Sequence, residues 1–388
     1  MSWKRRLGND WGRLGMTSNL SSLCTYAKGK VSVDTLPKQN YVSTENMLPN
    51  KEGIVDAGGL PSVQYVQQYI KGDILVSNIR PYFKKIWMAD KDGGCSNDVL
   101  VFRAAHGCDS TFLYYVLSND AFFNYASATS KGTKMPRGDK TAIMQYEVPC
   151  FDHETQLRIG KLLRSIDARI TINKKINDNL EQQAAAFFSS LYNRSNTKVR
   201  FTDLIQILGG GTPKTGENAY WNGNIAFFTP KDVGTPYTLI TEKAITEEGL
   251  SHCNSRLYPV NTVFVTARGT VGKVGMSGVP MAMNQSCYAL VGKETHQLLV
   301  YFYALKAVDR LKHKASGAVF DAITTRDFDS EQIMKLSDDD AKAFLCIAEP
   351  IFQKVLNNCI ENLRLSTLRD SLLPKLMSGE LDVSAVQL

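Results

Sequence analysis

The stretch with the most evident chemical potential is Gly209-Gly210-Gly211-Thr212-Pro213-Lys214-Thr215-Gly216, where a glycine run leads into Lys-Thr as in a phosphate-binding loop. Such a loop needs Gly directly before the Lys-Thr pair so that successive backbone N–H groups wrap the phosphates. Here that place is held by Pro213, which has no N–H to give. The stretch therefore reads as a tight turn presenting Lys214 and Thr215. An amino-methyltransferase that flips its base needs an (Asn/Asp)-Pro-Pro-(Tyr/Phe) clamp, and no Pro-Pro pair occurs in the chain. Asp340-Ala341-Lys342 has the carboxylate and lysine of a metal-dependent nuclease, but it lies in a helix first turn, where acids gather for the dipole. Gly275-Met276-Ser277-Gly278 lacks the spacing of a nucleophile elbow. The eight cysteines form no CxxC and the five histidines no HxxxH or HExxH, so neither a metal centre nor a disulfide framework is expected. No catalytic constellation emerges.

What remains is cationic. Of the net charge of +7, the excess sits in the two longer segments, 1–151 and 196–336, while residues from 337 onward are net acidic. Mild positivity of this kind suits a polyanionic partner. Two strand ends carry Ser77, Asn78, Arg80, Lys84 and Lys85 in the first half and Thr266, Arg268, Thr270 and Lys273 in the second. Two loops add Lys131, Lys134 and Arg137, and Lys312 and Lys314. Phosphates are met by Lys, Arg and small hydroxyls, whereas base edges are read by Arg, Asn, Gln or Lys. Each residue alone is equally readable as a solvated surface charge. Recurrence at matching places in both halves lifts the group above any member.

The elements that would position these residues are also written twice. Gly72-Asp73-Ile74-Leu75-Val76-Ser77 is a turn followed by a buried strand, and Asp98 to Phe102 is a second strand. A helix is expected over Thr111 to Ala126, then the cationic loop Ser130 to Gly138, too rich in Gly and Pro for regular structure. In the second half Asn261 to Thr266 stands where the first turn and strand stood, and Asn284 to Leu290 corresponds to the second strand. A helix from about Leu298 to Leu311 then precedes Lys312-His313-Lys314-Ala315-Ser316-Gly317. A repeat of roughly 185–189 residues is far too long for a solenoid. It implies a tandem duplication of domain plus helix.

Each repeat ends in a long helix. Apolar residues at Ile159, Leu163, Ile166, Ile170, Leu180, Ala184, Phe187 and Leu191, with Asn173 and Asn177 in the middle, follow the alternating spacing of heptad core sites. The same series shifted by 185 gives Phe344, Ala348, Ile351, Val355, Asn358, Asn362, Leu365, Arg369, Leu372 and Leu376. Only Arg369 spoils the second seam. Neither stripe can be buried alone, so the helices are expected to pair. The asparagines sit midway, so parallel and antiparallel pairing both set Asn against Asn. Buried Asn sacrifices stability to fix register. Ser337 followed by Asp338, Asp339 and Asp340 reads as the cap of the second helix.

With 43% hydrophobic and 21% charged residues the composition is that of a soluble globular protein. The longest uncharged run, Val274 to Gly292, is interrupted by glycines, Pro280, Asn284 and Gln285, so no membrane span is expected. The basic Met1–Arg6 is followed by no apolar stretch, so no secretory signal is expected and the location would be cytoplasmic.

Particular residues sharpen this reading. Gly209 to Thr215, followed by Tyr220-Trp221-Asn222-Gly223-Asn224-Ile225 and Thr229-Pro230-Lys231-Asp232-Val233, resembles the start of a target-recognition domain of type I restriction-modification specificity subunits. Leu368-Arg369-Asp370-Ser371-Leu372-Leu373-Pro374-Lys375-Leu376-Met377-Ser378-Gly379-Glu380-Leu381 is similar to that family's helical region. The likeness covers nearly the whole chain, although the first domain has no Gly-Gly-Thr-Pro equivalent near Lys28 to Tyr41. It implies an α+β fold with two pseudo-repeated α/β target-recognition domains, separated by two long helices that pair as an antiparallel coiled coil. The divisions would be 1–151 and 197–336 for the domains, with 152–196 and 337–388 for the helices. It further implies a non-catalytic subunit that binds double-stranded DNA at a bipartite target, one domain per half-site. Two modification subunits, and often two restriction subunits, would assemble with it and supply the chemistry of S-adenosylmethionine, ATP and Mg²⁺, with no cofactor in this chain. Lys231 joins the candidate DNA contacts through this resemblance. Tyr220 and Trp221 could stack or wedge at DNA, or pack in the core. A stand-alone bipartite DNA-binding regulator shares these features, as does an enzyme of another type.

Overall fold

The computed structural model describes residues 17–234, 236–314 and 322–383, so that Met1–Arg6 and the Ala315–Gly317 part of the second cationic loop lie outside it. Contacts divide the chain into two compact units, one made of residues up to Arg169 with those from Leu365 onward, the other of Ile170–Arg364.

In the first unit an antiparallel sheet has the strand order Cys24–Tyr26, Val99–Ala104, Ile74–Ser77, Ile86–Met88. The Ile-Leu-Val run of Ile74–Ser77 is buried on both faces, as a short apolar strand flanked by two partners must be. Asp73, buried at its start, accepts two hydrogen bonds from Arg103, at 2.8 and 2.7 Å. A second sheet orders Lys30–Ser32, Tyr65–Tyr69, Gly93–Cys95 and Tyr41–Val42. The single helix expected over Thr111 to Ala126 is two, Ser110–Ser118 and Asp120–Ala128. Between them Asn119 takes an extended conformation and its Oδ1 accepts from the Ala121 N–H at 3.0 Å. A short amide that can cap a new helix competes with continuing the old one.

The second unit repeats the plan. Its larger sheet orders Ile205–Gly209, Cys287–Gly292, Val263–Thr266, Val274–Ser277 and Tyr237–Thr238, and its smaller one Lys243–Ile245, Trp221–Phe228 and Met281–Met283. Val263–Thr266 is again buried on both faces. It pairs Val263 with Leu290 and Phe264 with Ala289, as Ile74 pairs with Phe102 and Leu75 with Val101 in the first unit. The helix Gln297–Lys314 packs ten buried residues against the unit's core.

The first long helix is His153–Arg194 and the second Asp338–Met377. Ser337 caps the second, its Oγ accepting from the Asp340 N–H at 3.1 Å. Within the second unit the helices run antiparallel: Asn173 Nδ2 donates to Asn362 Oδ1 at 3.0 Å, Asn358 Nδ2 donates to Asn177 Oδ1 at 2.7 Å, and Phe188 meets Phe344 further along. The asparagines thus face each other across the seam. Asn173, Asn177 and Asn358 are buried, as are Ile166, Ile170, Val355 and Phe344, whereas Leu180, Ile351, Asn362 and Leu365 are half-buried. Towards the ends the core face rotates: Phe188 sinks in place of Phe187, and Phe352 in place of Ile351. A straight helix drifts against a seven-residue repeat, and here the unit's own core, with Phe302 and Tyr303 against Phe188, covers the drifted face.

Within the first unit Ile159 and Leu163 share a cluster with Leu373, Leu376 and Met377. Arg369, the misfit of the heptad series, is answered by Asp167, whose Oδ1 accepts from the Arg369 guanidinium at 2.7 Å and whose Oδ2 accepts from the Tyr115 hydroxyl at 2.6 Å. A charge in the seam is tolerated because a partner of opposite sign and a phenol are built to meet it.

Two outcomes follow. Among the described residues Asn358 Oδ1 has no hydrogen-bond partner although buried, so replacing the Asn177–Asn358 pair by leucines removes a costly polar contact and a register device together. The double variant should melt higher but show more than one species by size-exclusion light scattering. Separately, burial, with Asp178 adding to it, pushes the Glu181 carboxyl up from 4.5 to about 7. The folded state then holds a proton that the unfolded state has released, and stability falls as pH rises across that window. Glu181→Gln should raise the melting temperature at pH 8 and match the unsubstituted chain by about pH 4, as a pH series of melts would show.

Candidate nucleic-acid interface

At the end of Ile74–Ser77 the chain turns through Asn78, Ile79 and Arg80 and returns at Ile86. Ser77 and Asn78 are buried. The Ser77 hydroxyl donates to Ile79 O at 3.0 Å, closing the turn. Above this turn lies the cationic loop: Lys131 and Arg137 pair as a bridge, Ile79 bridges Arg137, the Arg80 N–H donates to Pro136 O, and the Gly138 N–H donates to Asn78 O. The Asn78 N–H donates to Asp98 O, which brings in the turn before the neighbouring strand. Three segments far apart in sequence thereby form one surface.

The second unit builds the same joint. Thr266 is fully buried; its hydroxyl donates to Thr270 O and accepts from the Lys273 N–H. Arg268 bridges Ala322, the Ile323 N–H donates to Ala267 O, and the Ala267 N–H donates to Ser286 O. The Arg268 bridge and the two backbone bonds of Ala267 repeat those of Ile79 and Asn78 residue for residue along the duplication, whereas the two hydroxyls close their turns on different carbonyls, Ile79 O and Thr270 O. Ser77 and Thr266 therefore shape the turns from beneath, and the exposed positions around them face solvent.

The cations differ in how they are held. Lys84 and Lys51 both reach Asp120 at 2.8 Å; burial works to raise that carboxyl, but the two lysines outweigh it and hold it below the ordinary range. Lys131 pairs with Asp139, Arg137 with Asp98, Lys231 with Glu242 at 3.6 Å and Lys314 with the fully buried Glu331. Lys85 donates to Thr44 O at 2.6 Å, and burial lowers its pKa. Lys134, Lys214, Arg268, Lys273 and Lys312 are exposed. Lys131, Arg137 and Lys231 remain able to meet a phosphate, because pairs open to solvent are worth little in water, whereas Lys314 is held by a buried carboxylate.

In the second unit the glycine run joins this surface. Gly210 passes so close to the chain that a Cβ would stand 2.3 Å from Asn284 O and 2.5 Å from Met283 O. The turn then sets the Thr212 hydroxyl against Gln285 Oε1. Lys214 and Thr215 are exposed on it, as the composition of the turn suggests. Trp221 is half-buried: its indole N–H donates to Lys214 O at 3.1 Å, it meets Phe227 edge-on, and Lys243 lies over its ring. Tyr220 stacks on His252 with 5.0 Å between ring centroids. Both aromatic rings are thus engaged within the protein, and Trp221 braces the turn.

The thiols Cys24, Cys95 and Cys287 are pushed up to about 12, above all by burial, which removes them as nucleophiles at neutral pH. Among the described residues no group of three or more His, Cys, Asp or Glu is placed to hold a metal, and no helix is long and apolar enough to cross a membrane.

The model of the type I restriction modification DNA specificity domain matches residues 16–182 and again 193–335. The chain belongs to that family. It is similar to the type I restriction enzyme HindI specificity subunit of Haemophilus influenzae, 24% identical over 89% of this chain and 95% of that protein. The EcoR124I/EcoR124II specificity subunit of Escherichia coli is 29% identical over 40% of this chain and 42% of its own length. The fold of this chain is similar to the crystal structure of a type I restriction-modification S subunit from M. genitalium, with a TM-score of 0.61 at 16% identity, covering 97% of this chain and 99% of that one.

For a type I specificity chain two features of this surface were not singled out from sequence. Gln285 is exposed beside Thr212, and its carboxamide is of the kind that reads adenine; its position just before the recurring strand was the available signal. The left-handed conformations of Arg80 and Lys84, φ 50° and 52°, left no mark in composition. Each costs about 1–2 kcal/mol for a residue with a Cβ.

The glycine contact makes an expectation. Gly210→Ala should force the turn away from Asn284, lower stability by about 1–3 kcal/mol as overpacking does, and weaken DNA binding by the whole complex. Thermal melts and a binding titration would measure both; an unchanged affinity would detach this turn from the interface.

Proposed function

We propose that this chain is the DNA-reading subunit of a type I restriction-modification complex, working in the cytoplasm and without catalysis of its own. Each unit reads one half of a split duplex target through its strand-end turn and the loops stacked on it. Ser77, Asn78, Arg80, Lys84, Lys85, Lys131, Lys134 and Arg137 form or frame one contact surface. Lys214, Thr215, Tyr220, Trp221, Lys231, Thr266, Arg268, Lys273, Lys312 and Lys314 form or frame the other. Modification subunits, two per complex, would bring S-adenosylmethionine, and restriction subunits would bring ATP and Mg²⁺ chemistry. The helix pair would divide the chain at 151/152, 196/197 and 336/337 into reading and holding parts.

The observation that carries this reading is the repeated joint. The bonds Asn78 N–H to Asp98 O, Ile79 to Arg137 and Gly138 N–H to Asn78 O recur as Ala267 N–H to Ser286 O, Arg268 to Ala322 and Ile323 N–H to Ala267 O. A surface that is built twice to the same plan, cationic and without a catalytic constellation, suits a ligand with two similar halves and a polyanionic backbone.

The purified chain should bind duplex DNA weakly and transfer no methyl group, and should bind tightly and selectively once the modification subunit is added. A log-log plot of affinity against salt should fall with a slope of about 0.9 per phosphate neutralised. Filter binding across a salt series, with a labelled S-adenosylmethionine assay beside it, tests both parts. Methyl transfer by the chain alone, or an affinity indifferent to salt, would contradict the proposal.

A further inference from the structure

The two strand-end turns each need the left-handed region twice. Counting from the paired strands, Arg80 corresponds to Gly269 and Lys84 to Gly272, because Ile74 aligns with Val263 and Ile86 with Val274. The second unit meets the demand with glycine at both places, φ 83° and 76°; the first unit places cations there, φ 50° and 52°. Glycine enters this region without steric cost, whereas a residue with a Cβ is strained. Arg80 is also followed by Pro81, which disfavours anything but extended backbone before it. The first unit therefore keeps two strained cations where its twin shows that glycine suffices.

Lys84 has an evident return within the protein, its ion pair with Asp120. Arg80 has none of that kind. Among the described residues no carboxylate pairs with it, its Nε is buried without a hydrogen-bond partner, and its Nη2 reaches only Lys134 O, at 3.4 Å. Its backbone is nevertheless fixed, with its N–H on Pro136 O and its carbonyl accepting from the Phe83 N–H. A half-buried arginine on a fixed, strained backbone, with guanidinium donors unspent, thus sits on the surface formed by the turn and the cationic loop. Strain retained at such a place marks function. A phosphate contact has no need of it, since the exposed Lys134 beside it provides mobile charge at no backbone cost. A base edge does, because bidentate hydrogen bonding to guanine O6 and N7 demands a fork held in one direction.

We propose that Arg80 is a specificity-determining residue that reads a guanine in the half-site bound by the first unit, and that the second unit, with Gly269 in its place, has no counterpart. This rests on the DNA-reading role proposed above. The test uses the full chain assembled with its modification subunit, on duplexes carrying each base pair in turn at every position of the methylated target. Arg80→Gly should melt at or above the unsubstituted chain while losing about 10–100-fold of discrimination at one G·C pair, all other positions keeping theirs. Arg80→Lys, which keeps the charge, should lose the same discrimination and retain most of the overall affinity. A uniform loss across all sequences would make Arg80 a phosphate contact and overturn the proposal, as would unchanged discrimination in both variants. A lowered melting temperature with base preference intact would overturn it in favour of a structural role. An unsubstituted complex that distinguished no base pair in either half-site would instead sink the DNA-reading role itself.

Discussion

Everything at the interface depends on one constraint, the fixed register of a strand buried on both faces. Ile74–Ser77 and Val263–Thr266 each lie between two antiparallel partners with no solvent face. Because side chains alternate with period two, a slip by one residue would exchange every contact of such a strand. The turn that follows therefore leaves the sheet at one place, in one direction. Ser77 and Thr266 then spend their hydroxyls within the turn, which settles its shape from below and leaves the residues above free to differ. The two units can thus keep one frame while carrying Arg80 in one turn and Gly269 in the other.

The helix seam shows a second use of buried polar groups. In the second unit Asn173 meets Asn362 and Asn177 meets Asn358, and in the first unit Arg369 meets Asp167. None of these pairs is the most stable filling for a heptad core; apolar residues of similar size would bury more surface and leave no amide oxygen unpaired. What they supply is singularity, since an amide ladder fits one register and an Arg-Asp pair one neighbour. A subunit meant to present two reading surfaces gains more from one arrangement than from extra stability.

Much of this was legible in the chain. Recurrence exposed the duplication, the heptad spacing exposed the helices and their asparagines, and the punctuated apolar runs exposed the central strands. The break at Asn119 was hidden because an apolar face continues through it and only the amide's own cap interrupts the helix. The exchange of Phe187 for Phe188 was hidden because it depends on what the unit's core places over the helix. Which cations are already neutralised was likewise out of reach: Asp120 lies 36 residues from Lys84 and Asp98 39 from Arg137. The left-handed turn at Arg80 is set by bonds to Pro136 and Phe83, and nothing in the residue's type announces it.

If each surface reads its own half-site, specificity divides into two independent parts. Base-edge contacts act locally, and the costs of mismatches at separated positions add, at about 1–3 kcal/mol each. Exchanging residues 198–335 for the corresponding segment of a relative that reads a different target leaves both long helices intact, and sequencing the methylated bases of a host carrying the chimera reads the result. A new sequence in one half of the methylated target, with the other half and the gap between them unchanged, is the predicted outcome. A change in both halves at once would contradict it.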